Sequence, residues 1–267
     1  KGKKRFRKSK TLIDCIETTC KRFPDKTAVS KGDQKMTYRE LQQISDRIAG
    51  GLQCRGFRPS SVIGVLMEQS PDYVAVILGI LKAQCICMPM DVRYPEERIS
   101  EMMRCGNAPA IIVDEKCAGV WDKDAITCHE LTESSELAIN TVSHVDDDLF
   151  LYFTSGSTGA PKKVLLKNDG ILNSICTKIH EMKICSDDKL SYVLSSGFVS
   201  SLWCCLGPAV VGAELVYTDT PYDVYSFFMH CRDRHVTIVE IAPSFLKTFL
   251  NIERLNAKPL DLQKMKW

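Results

Sequence analysis

No apolar stretch in this sequence approaches the roughly 20 residues a helix needs to cross a bilayer. The longest, Tyr73 to Leu81, fits a short helix buried on every side. Gly-Lys-Ser/Thr is absent, which removes the Walker type of phosphate loop. Gly-x-Gly-x-x-Gly is absent too, which removes the common dinucleotide fingerprint. No Cys-x-x-Cys pair occurs, and His129, His144, His180, His230 and His235 are too scattered for a zinc site, so no metal ligand is assigned. The chain shows no signal peptide, internal repeat or low-complexity stretch. It also lacks an initiator Met, which suggests a piece cut from something longer.

What is present is a chain of 267 residues, 45% of them hydrophobic, enough for one large α/β domain or two small ones. Its net charge of +2 conceals an asymmetry, because residues 1–10 hold seven Lys or Arg and no acid. The remaining body carries 28 basic against 33 acidic residues, a poor match for a nucleic-acid backbone. The basic stretch reads most simply as a solvated linker; a nucleic-acid arm, a membrane contact or an import signal are the alternatives. Thirteen cysteines without a secretory signal read as buried free thiols in a reducing cytoplasmic compartment.

Apolar spacing through Tyr38, Leu41, Ile44, Ile48 and Leu52 predicts an amphipathic helix, with Thr37 and Glu40 as a capping box. Strands are predicted at 62–67, 85–88 and 110–113, with the buried helix and a helix opened by Pro95 between them. Such alternation predicts an α/β fold of layered parallel sheets covered by helices. Residues 114–147 lose the rhythm and read as a polar surface connection. A second alternation predicts helices at 169–180, 200–206, 224–231 and 243–250, and strands at 190–194, 214–217 and 236–239. The expected organisation is a linker over 1–10, a first α/β subdomain over 11–145, and a second, incomplete one over 146–267.

Thr154-Ser-Gly-Ser-Thr-Gly-Ala-Pro-Lys162 has the composition of a loop that holds a polyphosphate. Gly156 and Gly159 permit positive φ and close backbone approach, so that N–H groups can converge on an anion. Thr154, Ser155, Ser157 and Thr158 add hydroxyls, and Lys162 adds a compact cation after Pro161. The apolar run 149–153 before it and Lys163–Leu166 after it both read as strands. A plain Ser/Gly hairpin tip is the competing reading.

This loop resembles the phosphate-binding signature of the adenylate-forming superfamily, and four further segments agree with that family in order. They are Met36–Leu41, Leu81–Asp91 with Tyr94–Ile99, Phe198–Trp203 with Gly207-Pro208 and Gly212-Ala213, and Ile241–Leu246. The peptide-synthetase branch fits better than the acyl-CoA branch. The resemblance implies an incomplete adenylation domain that joins a small carboxylate to ATP with Mg2+, then passes the acyl group to phosphopantetheine on a carrier-protein domain. It assigns nucleotide binding to Thr154, Ser155, Gly156, Ser157, Thr158, Gly159 and Lys162, with Lys162 catalytic, and the substrate pocket to Phe198, Val199 and Trp203.

The chain departs from that family pattern in three places. Lys163 stands where the family has glycine, and Lys167-Asn168-Asp169 stands where a histidine-like position is expected. Val199 replaces the aspartate that pairs with a substrate α-ammonium, so an ordinary α-amino acid is disfavoured and a β-amino acid, or an acid without an α-amine, fits better. The family's adenine-stacking, ribose-binding, magnesium-binding and late lysine positions match no residue here, so residues 1–267 alone are expected to be inactive. A non-catalytic nucleotide-binding or scaffold module of the same descent is the alternative.

Overall fold

The computed structural model describes residues 10–118, 121, 125–133, 143–154, 162–254 and 265. Residues 1–9 of the basic stretch lie outside them. The chain opens with α1 (Leu12–Arg22), β1 (Thr27–Lys31), β2 (Gln34–Thr37) and α2 (Tyr38–Cys54). Both helices start from the predicted kind of device: Thr11 with Asp14, and Thr37 with Glu40, form reciprocal capping boxes. Next come β3 (Val62–Leu66), α3 (Pro71–Lys82), β4 (Ile86–Met90), α4 (Glu96–Gly106) and β5 (Ala110–Val113). They are followed by α5 (Glu115–Ala118), β6 (Ala125–Thr127), α6 (Cys128–Glu133), β7 (Asp148–Thr154) and β8 (Lys162–Lys167). The last described elements are α7 (Asn168–Glu181), β9 (Lys189–Val193), α8 (Ser201–Val211), β10 (Glu214–Tyr217), α9 (Val224–Asp233), β11 (Ile238–Ile241) and α10 (Pro243–Glu253).

Two sheets form, as the alternation of elements requires. One is six-stranded, in the order β6-β5-β3-β4-β7-β8, and the other five-stranded, in the order β11-β9-β10-β1-β2. Every pairing is parallel except the β1–β2 and β7–β8 pairs. Strands from either side of residue 146 enter both sheets. The main core runs between them and contains α3, which is buried at every position except Asp72. Gly79 lets α3 approach α2, since a Cβ there would overlap the Ile48 side chain.

The structure alters the sequence expectations in four places. Within 114–147, β6 is a sheet strand paired with β5, not a surface connection. With one buried residue in three, it carries no readable period. The strand expected at 236–239 runs Ile238–Ile241, because Val236 belongs to the turn after α9. α8 continues through Pro208 to Val211 and closes at Gly212, whose φ of +86° suits glycine. All thirteen cysteines are free, but Cys54 and Cys185 are exposed rather than buried. No helix among the described residues is long and apolar enough to cross a membrane.

Candidate functional site

The predicted strand–loop–strand unit is β7 and β8. β7 is apolar because it lies inside the sheet, between β4 and β8. Its register with β4, Cys87 opposite Phe150, brings Thr154 level with Asp91 at the C-terminal edge of the parallel strands. Open α/β sheets bind their ligands at that edge. Thr154 pairs with Lys162 and Phe153 with Lys163, so the antiparallel ladder closes at the two ends of the expected loop. Ser155, Gly156, Ser157, Thr158 and Gly159 lie outside the described residues. Lys162 and Lys163 are exposed at the start of an edge strand, where lysines also guard against edge-to-edge pairing. Asn168 is 1% exposed and accepts a hydrogen bond from the Leu12 backbone N–H at 2.9 Å, so it ties α7 to the start of α1.

Val199 and Trp203 come together in one cavity of about 470 Å³ between α7, α8 and β11. Ile171 and Ile175 line its apolar side, and Lys178 and Glu240 are charged residues of its lining. The Lys178 ammonium stands 5.3 Å from the centre of the Trp203 ring. Glu240, half-buried, is the only acidic side chain lining the cavity, and among the described residues it makes no side-chain hydrogen bond or ion pair. Trp203 is 6% exposed and also belongs to the main core. Phe198 is 64% exposed and does not line this cavity.

The turn that carries Phe198 and Val199 is tied down by the other sheet. Gln69 Nε2 donates to the Leu194 carbonyl at 2.9 Å, and the Tyr152 hydroxyl donates to the Ser196 carbonyl at 3.4 Å. The Ser195 hydroxyl donates to Asp91, whose oxygens also receive the Arg93 guanidinium at 2.8 and 2.6 Å. Burial alone would raise the Asp91 pKa, but hydrogen bonds from Arg93 and Ser195 outweigh it and hold the carboxyl at about 2. Burial pushes the Tyr152 phenol far above its ordinary value, so it stays a protonated donor.

A larger cavity of about 750 Å³ contains Lys31, Glu68 and Lys116, but none of the expected site residues. Its central charges satisfy one another: Glu68 meets Lys116 at 2.8 Å and Lys31 at 3.5 Å.

The sequence reading singled out Val199 and Trp203, which the structure brings together, but not Glu240, Gln69 or Tyr152 around them. An acid inside the apolar run Ile238–Ile241 was the one available signal for Glu240. For Gln69 and Tyr152 the sequence offers none, because their partners lie 125 and 44 residues away.

Comparison with known proteins gives a consistent set of matches. Residues 16–266 match the family of AMP-binding enzymes. Bacitracin synthase 1 of Bacillus licheniformis is 30% identical over 250 residues, covering 91% of this chain and 5% of its own length. Tyrocidine synthase 1 of Brevibacillus parabrevis is 25% identical over 261 residues, covering 94% of this chain and 24% of its own length. The chain thus spans a small part of these relatives. Among solved structures, the N-terminal subdomain of Klebsiella oxytoca NpsA with 3-hydroxybenzoyl-AMSN aligns at a TM-score of 0.83 and 22% identity, over 94% of this chain and 65% of that one. The nonribosomal peptide synthetase FmoA3 in its AMPPNP-bound form aligns at 0.86 and 23%, over 94% of this chain and 27% of that one.

Proposed function

The chain belongs to the AMP-binding enzyme family, and on that premise we propose that it is the leading part of an adenylation domain acting on a small carboxylic acid. In this reading a carboxylate oxygen attacks the α-phosphorus of ATP, the bond to the β-phosphate oxygen breaks, and pyrophosphate leaves. Both reactants are anions, so catalysis rests on neutralising charge and aligning the two. The observation that carries the reading is the closure of the β7–β8 ladder by Thr154 and Lys162 at the C-terminal sheet edge. It puts a lysine and a hydroxyl at the base of the Ser/Gly/Thr loop, with Lys163 beside them. Lys162 grips the β- and γ-phosphates; Thr154, Ser155, Gly156, Ser157, Thr158 and Gly159 supply hydroxyl and backbone donors. Mg2+, if bound, would supply further neutralisation of phosphate charge, and none of the described residues is assigned to hold it.

The acid occupies the cavity with Val199 and Trp203, beside Phe198. Val199 gives an α-ammonium no partner, whereas Glu240 lines the same cavity with no ion pair among the described residues. The favoured substrate therefore has no α-amine or carries its amine elsewhere, as in a β-amino acid. Transfer of the acyl group to a carrier-domain phosphopantetheine thiol completes the reading; NpsA has been solved artificially fused to a PCP domain.

The test is acid-dependent ATP–pyrophosphate exchange by the complete protein, across a panel of α-amino, β-amino and amine-free acids. Exchange with one of the last two classes supports the proposal. Nucleotide binding with no exchange for any acid favours a non-catalytic binding module.

A further inference from the structure

We propose that Tyr152 is a positioning residue that fixes the acyl cavity relative to the Thr154–Lys162 end of β7 and β8, a role that rests on the adenylation reading above. Tyr152 stands two residues before Thr154 on β7, so the two side chains leave the strand on the same face. That face meets the main core, where Phe150 and Tyr152 pack, whereas Leu151 and Phe153 pack in a separate cluster on the other side. The Tyr152 hydroxyl donates to the Ser196 carbonyl at 3.4 Å, and the Ser201 hydroxyl, which itself donates to the Phe198 carbonyl at 2.8 Å, lies close to the same phenol. Ser196 and Ser201 bracket Phe198 and Val199.

One strand therefore carries Thr154, bonds one end of the turn that bears Phe198 and Val199, and lies close to its other end. Gln69 and Tyr73 also reach this segment, at Leu194 and Ser196, but from the β3–α3 connection and from α3. Tyr152 is the contact that shares an element with the loop. Acyl-adenylate formation needs the attacking oxygen about 3 to 3.5 Å from phosphorus and in line, and a displacement of about 1 Å costs on the order of 100-fold in rate. A strut of fixed length between the two subsites is what that geometry demands.

The experiment compares wild type, Tyr152→Phe, Ser201→Ala, the Tyr152→Phe/Ser201→Ala double variant and Tyr217→Phe in the complete protein. Thermal midpoint and the kcat and KM of acid-dependent pyrophosphate exchange are measured for each. Tyr217 is the control: it is similarly buried and its hydroxyl bonds Tyr192 at 3.1 Å, with no hydrogen bond to the 194–201 turn among the described residues. Tyr152→Phe is expected to lower kcat about 10- to 100-fold while each KM changes less than about 3-fold. Ser201→Ala lowers kcat in the same direction, and the double variant loses less than the product of the two single losses. Tyr217→Phe lowers the thermal midpoint without changing kcat.

Equal kcat in wild type and Tyr152→Phe, with a fall only in midpoint, overturns the positioning role and leaves the adenylation reading standing. Should Tyr152→Phe fail to fold, an unchanged kcat in Ser201→Ala overturns it instead. No exchange by wild type with any acid overturns the adenylation reading, and this inference with it.

Discussion

Gly197 and Tyr94 touch so closely that a Cβ on Gly197 would overlap the Tyr94 phenol oxygen and its ring carbon. Tyr94 lies in the connection after β4 and Gly197 in the turn after β9, so the contact joins the two sheets beside Phe198 and Val199. Gly197→Ala forces these surfaces apart. The expected loss of stability is about 1 to 3 kcal/mol, together with a raised KM for the acid. Urea unfolding and exchange kinetics on one preparation check both, and the contact matters little if neither moves.

Asp91 links folding to pH. Its folded pKa, about 2, lies below the ordinary carboxylate value, so the unfolded chain binds the proton more readily. Its contribution is therefore fully present above about pH 4 and is lost as pH falls from there toward 2. Asp91→Asn should lower the urea midpoint at pH 6 and narrow its gap to wild type as pH falls to 2.5. A gap that stays constant with pH would remove Asp91 as the linked group.

Lys82 is 6% exposed and meets Asp46 at 2.6 Å, with the Ser45 hydroxyl 2.7 Å away. Asp46→Ala leaves the buried ammonium without its carboxylate and should cost about 2 to 4 kcal/mol. Asp46→Ala in a Lys82→Met background should cost much less, because no charge remains to be compensated. Equal losses in the two backgrounds, by chemical denaturation, would contradict the pairing.

Val199→Asp restores a carboxylate beside the cavity. The ratio of exchange rates for an α-amino acid over its deaminated counterpart should rise on the order of 10-fold. An unchanged ratio across the substrate panel would disprove the assignment of Val199 to the substrate pocket.

The elements that sequence revealed most clearly have a strong local signal. The buried helix was legible because Tyr73 to Leu81 is apolar on every face, and it is α3 at the centre of the main core. α2 was legible from its spacing and its Thr37–Glu40 cap. The β7–β8 unit stood out because a hydroxyl- and glycine-rich stretch separates two strand-like runs. β6 escaped because one buried residue, Ile126, sets no period. The Pro208 turn of α8 escaped because proline in a helix interior normally argues for a break. The ties on the 194–201 turn were illegible for a different reason. They join a strand end to residues 44 to 125 positions away, and only the packed sheets bring them together.

The central claim is that Lys162 grips phosphate in an acid-activating site, and the most direct measurement is ATP–pyrophosphate exchange by the complete protein with and without Lys162→Ala. Lys162 is exposed on an edge strand, so its removal should leave the thermal midpoint within about 1 °C. Exchange with the preferred acid should fall at least about 10-fold. Unchanged exchange in Lys162→Ala, or a loss that merely tracks unfolding, would contradict the account.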